Sequence, residues 1–134
     1  DNFKNVNDSC GHLVGDEVLQ TVAANLGTVF SARDIIGRIV GDEFVVFVRH
    51  LATADEIFKK TYAISQSLQM IQPAKAIKIS ASIGIAFAPQ NGLTYKALLA
   101  AADQALYQTK TSGKNHFAIA EKQDSDKSHL SVDR

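Results

Sequence analysis

A chain of 134 residues with an apolar fraction of 46% can bury a single core of ordinary size, as a globular protein does. Fourteen basic residues balance fourteen acidic ones, so no global field recruits DNA, RNA or an anionic membrane, and any phosphate binding has to be local. Cys10 is the only cysteine, which excludes an internal disulfide and a thiolate metal cage and fits a reducing cytoplasm; no apolar run approaches the roughly 20 residues of a membrane span, and no signal peptide opens the chain.

The first segment, Asn7-Asp8-Ser9-Cys10-Gly11-His12-Leu13-Val14-Gly15-Asp16, is polar and punctuated by glycine. Asn7-Asp8 suits a turn, and Asp16 suits the N-cap of the helix that follows. Val18, Leu19, Val22, Ala23 and Leu26 recur at helical spacing, and Gly27 is expected to end that helix. Ile35 to Ile39 and Phe44 to Val48 are β-branched and aromatic runs joined by Val40-Gly41-Asp42-Glu43, which predicts a hairpin whose turn needs Gly41 for a positive φ. Thr53 and Glu56 are spaced as a capping box for a helix through Ile57, Thr61, Ile64 and Leu68, and Pro73 closes the connection after it. Ile77, Ile79, Ala81, Ile83 and Ile85 alternate as a strand with one buried face, broken at Gly84 where another backbone can come close. Thr94 can cap a helix through Leu98, Ala102, Ala105 and Leu106 that stops near Gly113, before a short strand around Phe117 and Ile119. From Glu121 onward the chain is charged and aperiodic, the pattern of a linker. This order predicts an α/β domain with one mixed or antiparallel sheet covered by helices.

Arg38-Ile39-Val40-Gly41-Asp42-Glu43-Phe44 puts two adjacent carboxylates at the hairpin tip. Taken alone they are ordinary turn residues, since aspartate is common in turns and acidic tips are solvated. Their company is more specific: the Asn7 to Asp16 segment upstream, then Ser82-Ile83-Gly84-Ile85-Ala86 and Ala102-Asp103-Gln104-Ala105-Leu106-Tyr107 downstream, followed by Lys110 and Gly113-Lys114-Asn115. Together these motifs resemble the GGDEF family, the diguanylate cyclase domains that join two GTP molecules into cyclic di-GMP. The resemblance is collinear from Asp1 to about Ala120, so residues 1–120 are expected to be the domain and 121–134 a charged linker or tail. It implies the palm-like fold of nucleotide cyclases, with a central, mostly antiparallel sheet covered by helices and the hairpin at its active edge. In the family a strand precedes the position of Asp1 and carries, two residues earlier, a metal-binding aspartate; the sequence begins after that position, so the first strand is expected to be absent from it.

Joining a 3′-hydroxyl to an α-phosphate requires the hydroxyl to lose its proton and the phosphoryl oxygens to be neutralised, work done by carboxylates holding Mg²⁺ or Mn²⁺. The resemblance makes Asp42 a direct metal ligand and has Glu43 complete the metal site or help activate the hydroxyl. A carboxylate can accept from guanine N1 and N2 while an amide addresses O6 or N3, and the family assigns base recognition to Asn7 and Asp16. Gly41 lies within the substrate-binding hairpin. The backbone N–H groups of Asn2 and Phe3, with Lys4, match the family's phosphate-contacting loop, and Lys110 and Lys114 extend toward phosphates. At Lys114 the family usually has arginine, so the charge is kept without the bidentate fork. Lys110 and Lys114 also suit a helix C-terminus by its dipole.

The chain departs from the family at two further places. Val40 replaces the first glycine of the motif, and a β-branched residue resists positive φ and crowds a ligand. The family's inhibitory product site, written Arg-x-x-Asp, is Ser31-Ala32-Arg33-Asp34 here, so Asp34 is kept and Ser31 stands at the arginine position. The resemblance implies a cytoplasmic diguanylate cyclase acting as a homodimer on GTP, in a parent protein with a sensory or EAL domain and possible membrane anchorage elsewhere. The alternative is a degenerate GGDEF domain that binds GTP or dimerises to regulate such a partner. A different palm-fold nucleotide enzyme is a third reading, separable from both by its base preference.

Overall fold

The structure, a computed structural model of the chain, describes residues 3–71, 79–111 and 117–121. Its elements are α1 (Phe3–Cys10), α2 (His12–Val29), β1 (Ile35–Val40), β2 (Glu43–Phe47), α3 (Ala54–Gln69), β3 (Ile83–Ile85), α4 (Tyr95–Thr111) and β4 (Phe117–Ile119), an α/β chain. They fall into two compact units, Asp1–Ala81 and Ser82–Arg134.

In the first unit the expected turn at Asn7-Asp8 is helical instead. Phe3, Val6, Asn7 and Cys10 stand at i, i+3, i+4 and i+7, and they are the residues of α1 that are covered, with Val6 fully buried. Gly11, at φ 88°, ends this helix and opens α2. The next glycine with a structural duty is Gly15, over which the Asn7 side chain and the Phe3 ring sit so closely that any Cβ there would collide with the Asn7 amide. Small size at Gly15 thus lets α1 and α2 touch. Gly27 does not stop α2, which runs to Val29 and ends where Phe30 turns extended. The cost of a helical glycine is roughly 1 kcal/mol, and burial of Leu26 and Phe30 on either side outweighs it.

The hairpin forms where the β-branched runs predict it. Ile35 to Arg38 pair antiparallel with Phe47 to Phe44 in a constant register, and then Val40 pairs with Glu43, so Ile39 is an extra residue and the ladder bulges. Gly41 takes φ 55° in the turn, and Val40 is not in the left-handed region. A positive φ at the first central residue alone is the pattern that favours glycine there. The helix α3 buries Ile57, Thr61, Ile64 and Leu68, the four residues that its spacing selects. Thr61 satisfies its buried hydroxyl by donating to the Ile57 carbonyl at 2.7 Å. The capping box is not formed: Thr53 makes no side-chain cap bond, and the Glu56 N–H instead reaches the Thr53 carbonyl at 3.2 Å. Asp55 and Glu56 still place negative charge in the first turn, where the helix dipole favours it.

In the second unit β3 and β4 run parallel, Ile83 opposite Phe117 and Ile85 opposite Ile119. One of the two ladders among the described residues is therefore parallel, where a mostly antiparallel sheet was expected. The predicted strand from Ile77 is a ladder only over Ile83–Ile85; Pro73 and Ile77 lie outside the described residues. Gly84 is where α4 crosses β3, and a Cβ would strike the Ala102 carbonyl oxygen and the Leu106 nitrogen, as its place in the alternating strand predicts. Thr94 caps α4 by accepting from the Ala97 N–H at 3.1 Å. The loop before α4 is tied by the buried Asn91, whose Oδ1 accepts from the Phe87 N–H at 2.8 Å and whose Nδ2 donates to the Glu121 carbonyl at 2.7 Å. The helix reaches Thr111, and Gly113 lies outside the described residues.

These contacts set a matched pair of substitutions. Gly84→Ala is expected to destabilise by about 1–3 kcal/mol, because the methyl meets helix backbone that cannot give way. Gly27→Ala, with open space around its Cβ position, is expected to stabilise by about 1 kcal/mol. Chemical denaturation of both variants reads the opposite signs directly.

Candidate active site

Position in the helix decides what Asp16 is free to do. The N-cap of α2 is Gly11, so Asp16 lies a turn inside the helix and its exposed carboxylate is not spent on capping, contrary to the N-cap expectation. It faces an open cleft of about 380 Å³ in which Asp16, Leu19 and Gln20 of α2 lie across from Ile36, Arg38 and Phe44 of the hairpin. Asn7 is held against Gly15, the residue before Asp16, at the contact between α1 and α2, and it does not line the cleft that Asp16 faces.

The register places the remaining hairpin groups. Residues opposite each other in a ladder share a face, and neighbours along a strand alternate. Arg38 opposes Phe44 and lies on the cleft side; Glu43 follows on the other face, and the bulge brings Val40 opposite Glu43. Val40 therefore projects away from the cleft, extended and 64% exposed, and the turn strain that a β-branched residue threatens does not arise. Asp42 occupies the turn beside Gly41, and Asp42 and Glu43 are both exposed.

Phe3 and Lys4 belong to the first turn of α1 and not to a loop, with Lys4 exposed. The leading N–H groups of a helix have no intrahelical acceptor and suit an anion. Lys110 stands in the last turn of α4, in the second unit, where it meets the helix dipole. Asn2 and Lys114 lie outside the described residues.

Among the described residues no group of three or more His, Cys, Asp and Glu side chains is placed to hold a metal ion. Asp42 and Glu43 offer adjacent, solvent-open oxygens, a hard donor set that fits Mg²⁺ or Mn²⁺ as part of a shell completed by water and phosphate oxygens.

Asp34 has quite different surroundings. Its side chain is 2% exposed, and Oδ2 accepts from the Ser31 N–H at 3.0 Å and the Ser31 hydroxyl at 3.3 Å while Oδ1 accepts from the Arg49 N–H at 3.0 Å. Lys60 of α3 brings its Nζ to 4.0 Å from Oδ2 and lies 5.3 Å from the centre of the Phe30 ring. Burial pushes the Asp34 carboxyl up, but the Arg49 and Ser31 N–H groups, the Ser31 hydroxyl and the Lys60 charge together outweigh it and hold the carboxyl below its ordinary value. Arg33 is exposed, and only its backbone N–H joins the cluster, donating to the Ser31 hydroxyl at 3.3 Å. Ser31, at the position of the family's arginine, thus turns Asp34 inward as a fastener. Sequence reading missed this role, and it missed that Arg38 lines the cleft; the alternation of Ile36 and Arg38 on one strand face was the available signal.

An α/β chain with an acid-tipped hairpin facing a helix-lined cleft has the palm-like fold of nucleotide cyclases. Residues 1–116 match the family described as diguanylate cyclase, GGDEF domain, and the chain belongs to that family. It is 38% identical over 122 residues to the bifunctional diguanylate cyclase/cyclic di-GMP phosphodiesterase MucR of Pseudomonas aeruginosa, covering 90% of this chain and 18% of that protein. It is 34% identical over 119 residues to the response regulator PleD of Caulobacter vibrioides, covering 86% of this chain and 26% of PleD. The chain thus spans less than a third of the length of these relatives. Among solved structures, the GGDEF domain of TpbB from Pseudomonas aeruginosa superposes with a TM-score of 0.81 at 34% identity, covering 98% of this chain and 77% of that one. The active GGEEF domain of a Vibrio cholerae diguanylate cyclase superposes at 0.82 with 28% identity, covering 92% and 79%.

Asp34→Asn is expected to lower stability at neutral pH by about 1–3 kcal/mol, as several hydrogen bonds to a charged, nearly buried group are weakened. Because the folded carboxyl titrates below its ordinary 3.8, its contribution is complete above that value and is lost as pH falls through the lower folded one. Denaturation curves of the two proteins should therefore converge in acid; a gap that stays constant down to the acid limit contradicts the assignment.

Proposed function

We propose that this domain condenses two molecules of GTP into cyclic di-GMP, each of two facing copies presenting one nucleotide. The observation that carries the reading is the cleft: Asp16, uncommitted to capping, faces the strand that leads to Asp42 and Glu43, and the bulge at Ile39 turns Val40 to the other face. Asp16 accepts from guanine N1 and N2, and Asn7 supports it from α1. The N-terminal N–H groups of α1 and Lys4 meet phosphate oxygens, with Asn2, Lys110 and Lys114 as further phosphate-binding residues. A bound Mg²⁺ or Mn²⁺, held by Asp42 and Glu43, would neutralise the phosphoryl oxygens and ease loss of the 3′-hydroxyl proton. The 3′-oxygen of one GTP forms the bond to the α-phosphorus of the other and pyrophosphate leaves, once in each direction. The domain occupies residues 1–120, with 121–134 as a linker, in the cytoplasm where GTP is available.

Val40 favours a second reading. A branched side chain stands where the family has a bare glycine, which suits a non-catalytic domain that binds GTP or dimerises to regulate an attached partner. Combined architectures occur among similar proteins: MucR is bifunctional, and an EAL/GGDEF domain protein from M. capsulatus superposes at a TM-score of 0.78 with 36% identity, covering 90% of this chain and 79% of that one.

Incubation of the full-length protein with GTP and Mg²⁺, followed by chromatography, separates the two readings. Cyclic di-GMP is expected, and Asp42→Ala should abolish it; GTP binding without product would leave the regulatory reading standing. GTP should also bind more tightly than ATP, with Asp16→Ala erasing most of the difference, about ten-fold or more for a charge-assisted hydrogen bond. Equal affinities in the unmutated protein would remove Asp16 from base recognition. Added product should not inhibit through Ser31 and Asp34, since the Asp34 oxygens are already engaged; inhibition abolished by Asp34→Asn without loss of folding would contradict this.

A further inference from the structure

We infer that Arg38 is a specificity-determining residue whose guanidinium reads the O6 and N7 edge of the guanine that Asp16 holds by N1 and N2. The inference rests on the reading of the cleft as a guanine site and adds a second reader on the opposite wall. Asp16 and Arg38 carry opposite charges on the two sides of this cleft, yet the ion pair found among the described residues is Lys60 with Asp34, and the Arg38 side chain has no hydrogen bond to any of them. A guanidinium and a carboxylate left unpaired across one cleft have their donors and acceptors available to something that enters between them. The cleft also carries Leu19 on α2 and Ile36 and Phe44 on the hairpin, apolar surface suited to a flat ring. Register fixes Arg38 on this side: it is two residues from Ile36 and opposite Phe44, along which its aliphatic stem can lie.

The entering group must offer donors to a carboxylate and, on an adjoining edge, paired acceptors to a planar fork. Guanine does both, with N1–H and N2–H beside O6 and N7. Adenine fails twice, because its N1 is an acceptor facing Asp16 and its N6 amino group is a donor facing Arg38. A phosphate would satisfy Arg38 and be repelled by Asp16. Arginine is also the side chain whose fixed fork addresses O6 and N7 together, which lysine cannot do.

The test measures equilibrium binding of GTP, 7-deaza-GTP, which lacks the N7 acceptor, and guanosine, which lacks phosphate, to the full chain. The unmutated protein is compared with Arg38→Lys and Arg38→Ala, each first shown to keep its thermal unfolding profile. The unmutated protein is expected to bind 7-deaza-GTP about ten-fold more weakly than GTP. Both variants should lose that preference, and Arg38→Ala should weaken GTP and guanosine alike, by about ten-fold or more. Indifference of the unmutated protein to the N7 deletion overturns the inference, as does a preference retained in Arg38→Ala. A loss seen with GTP and not with guanosine also overturns it, by assigning Arg38 to phosphate. If the unmutated protein shows no preference for GTP over ATP, the guanine reading itself fails; if that preference stands while the N7 results go the other way, the assignment of Arg38 fails alone.

Discussion

The Asp34 carboxylate is the constraint on which the first unit depends. A charge that is almost wholly covered is unfavourable unless its surroundings answer it, and here the answering donors come from separate parts of the chain: Ser31 after α2, Arg49 after β2 and Lys60 within α3. Both ends of the hairpin and two helices therefore meet at one side chain. The hairpin extends away from this anchor for about six residues, on the order of 20 Å, so a tilt of about 3° at its base would move its tip by about 1 Å. Displacements of that size are enough to matter for catalysis. The distance from α2 to β1, which sets the width of the cleft, is governed from the end of the hairpin that carries no candidate chemistry.

Much of this arrangement is legible in the residues, and the limits have physical causes. The period of two at Ile35 to Ile39 and Phe44 to Val48, and of 3.6 at Ile57, Thr61, Ile64 and Leu68, reports which face is covered, so those elements and their inner residues follow from sequence. Gly84 is legible too, because a glycine interrupting an alternating strand marks a bulge or a place where another backbone comes close. Periodicity does not report partners. Nothing in the local pattern says that Asn7 packs on Gly15 or that Asp34 gathers Arg49 and Lys60, contacts between residues well apart in the chain. Local signals were misread where tertiary burial opposed them, as at Gly27, or where several residues were competent to do one task, as with Gly11 and Asp16 for the start of α2. The candidate site divides in the same way: Asp42 and Glu43 are visible as a motif, whereas the opposition of Asp16 and Arg38 exists only once α2 lies beside the hairpin.

The candidate recognition groups and the candidate metal groups occupy different parts of the first unit. The groups suited to a base line the cleft between α2 and β1, and the groups suited to a cation stand in the turn beyond it. A domain built this way can lose turnover through small changes at the turn and still select its nucleotide, since the cleft does not draw on the turn for its walls. The active and regulatory readings of this chain are therefore neighbours in physical terms, separated by the groups around the turn and not by the fold.

The bulge at Ile39 has a consequence for how substitutions in this hairpin should be judged. Strand residues alternate sides, so an extra residue acts as a change of parity: every side chain past it is dealt to the opposite side from the one that counting along the strand assigns. Counting from Arg38 assigns Val40 to the cleft; pairing with Glu43 assigns it to the other face. A motif letter that looks disabling when aligned position by position can be harmless when an irregularity one residue away has already redirected it. Whether a hairpin tolerates a branched residue is thus a property of its ladder as a whole, since the face that the valine presents is set by its partner Glu43 and not by its distance from Arg38.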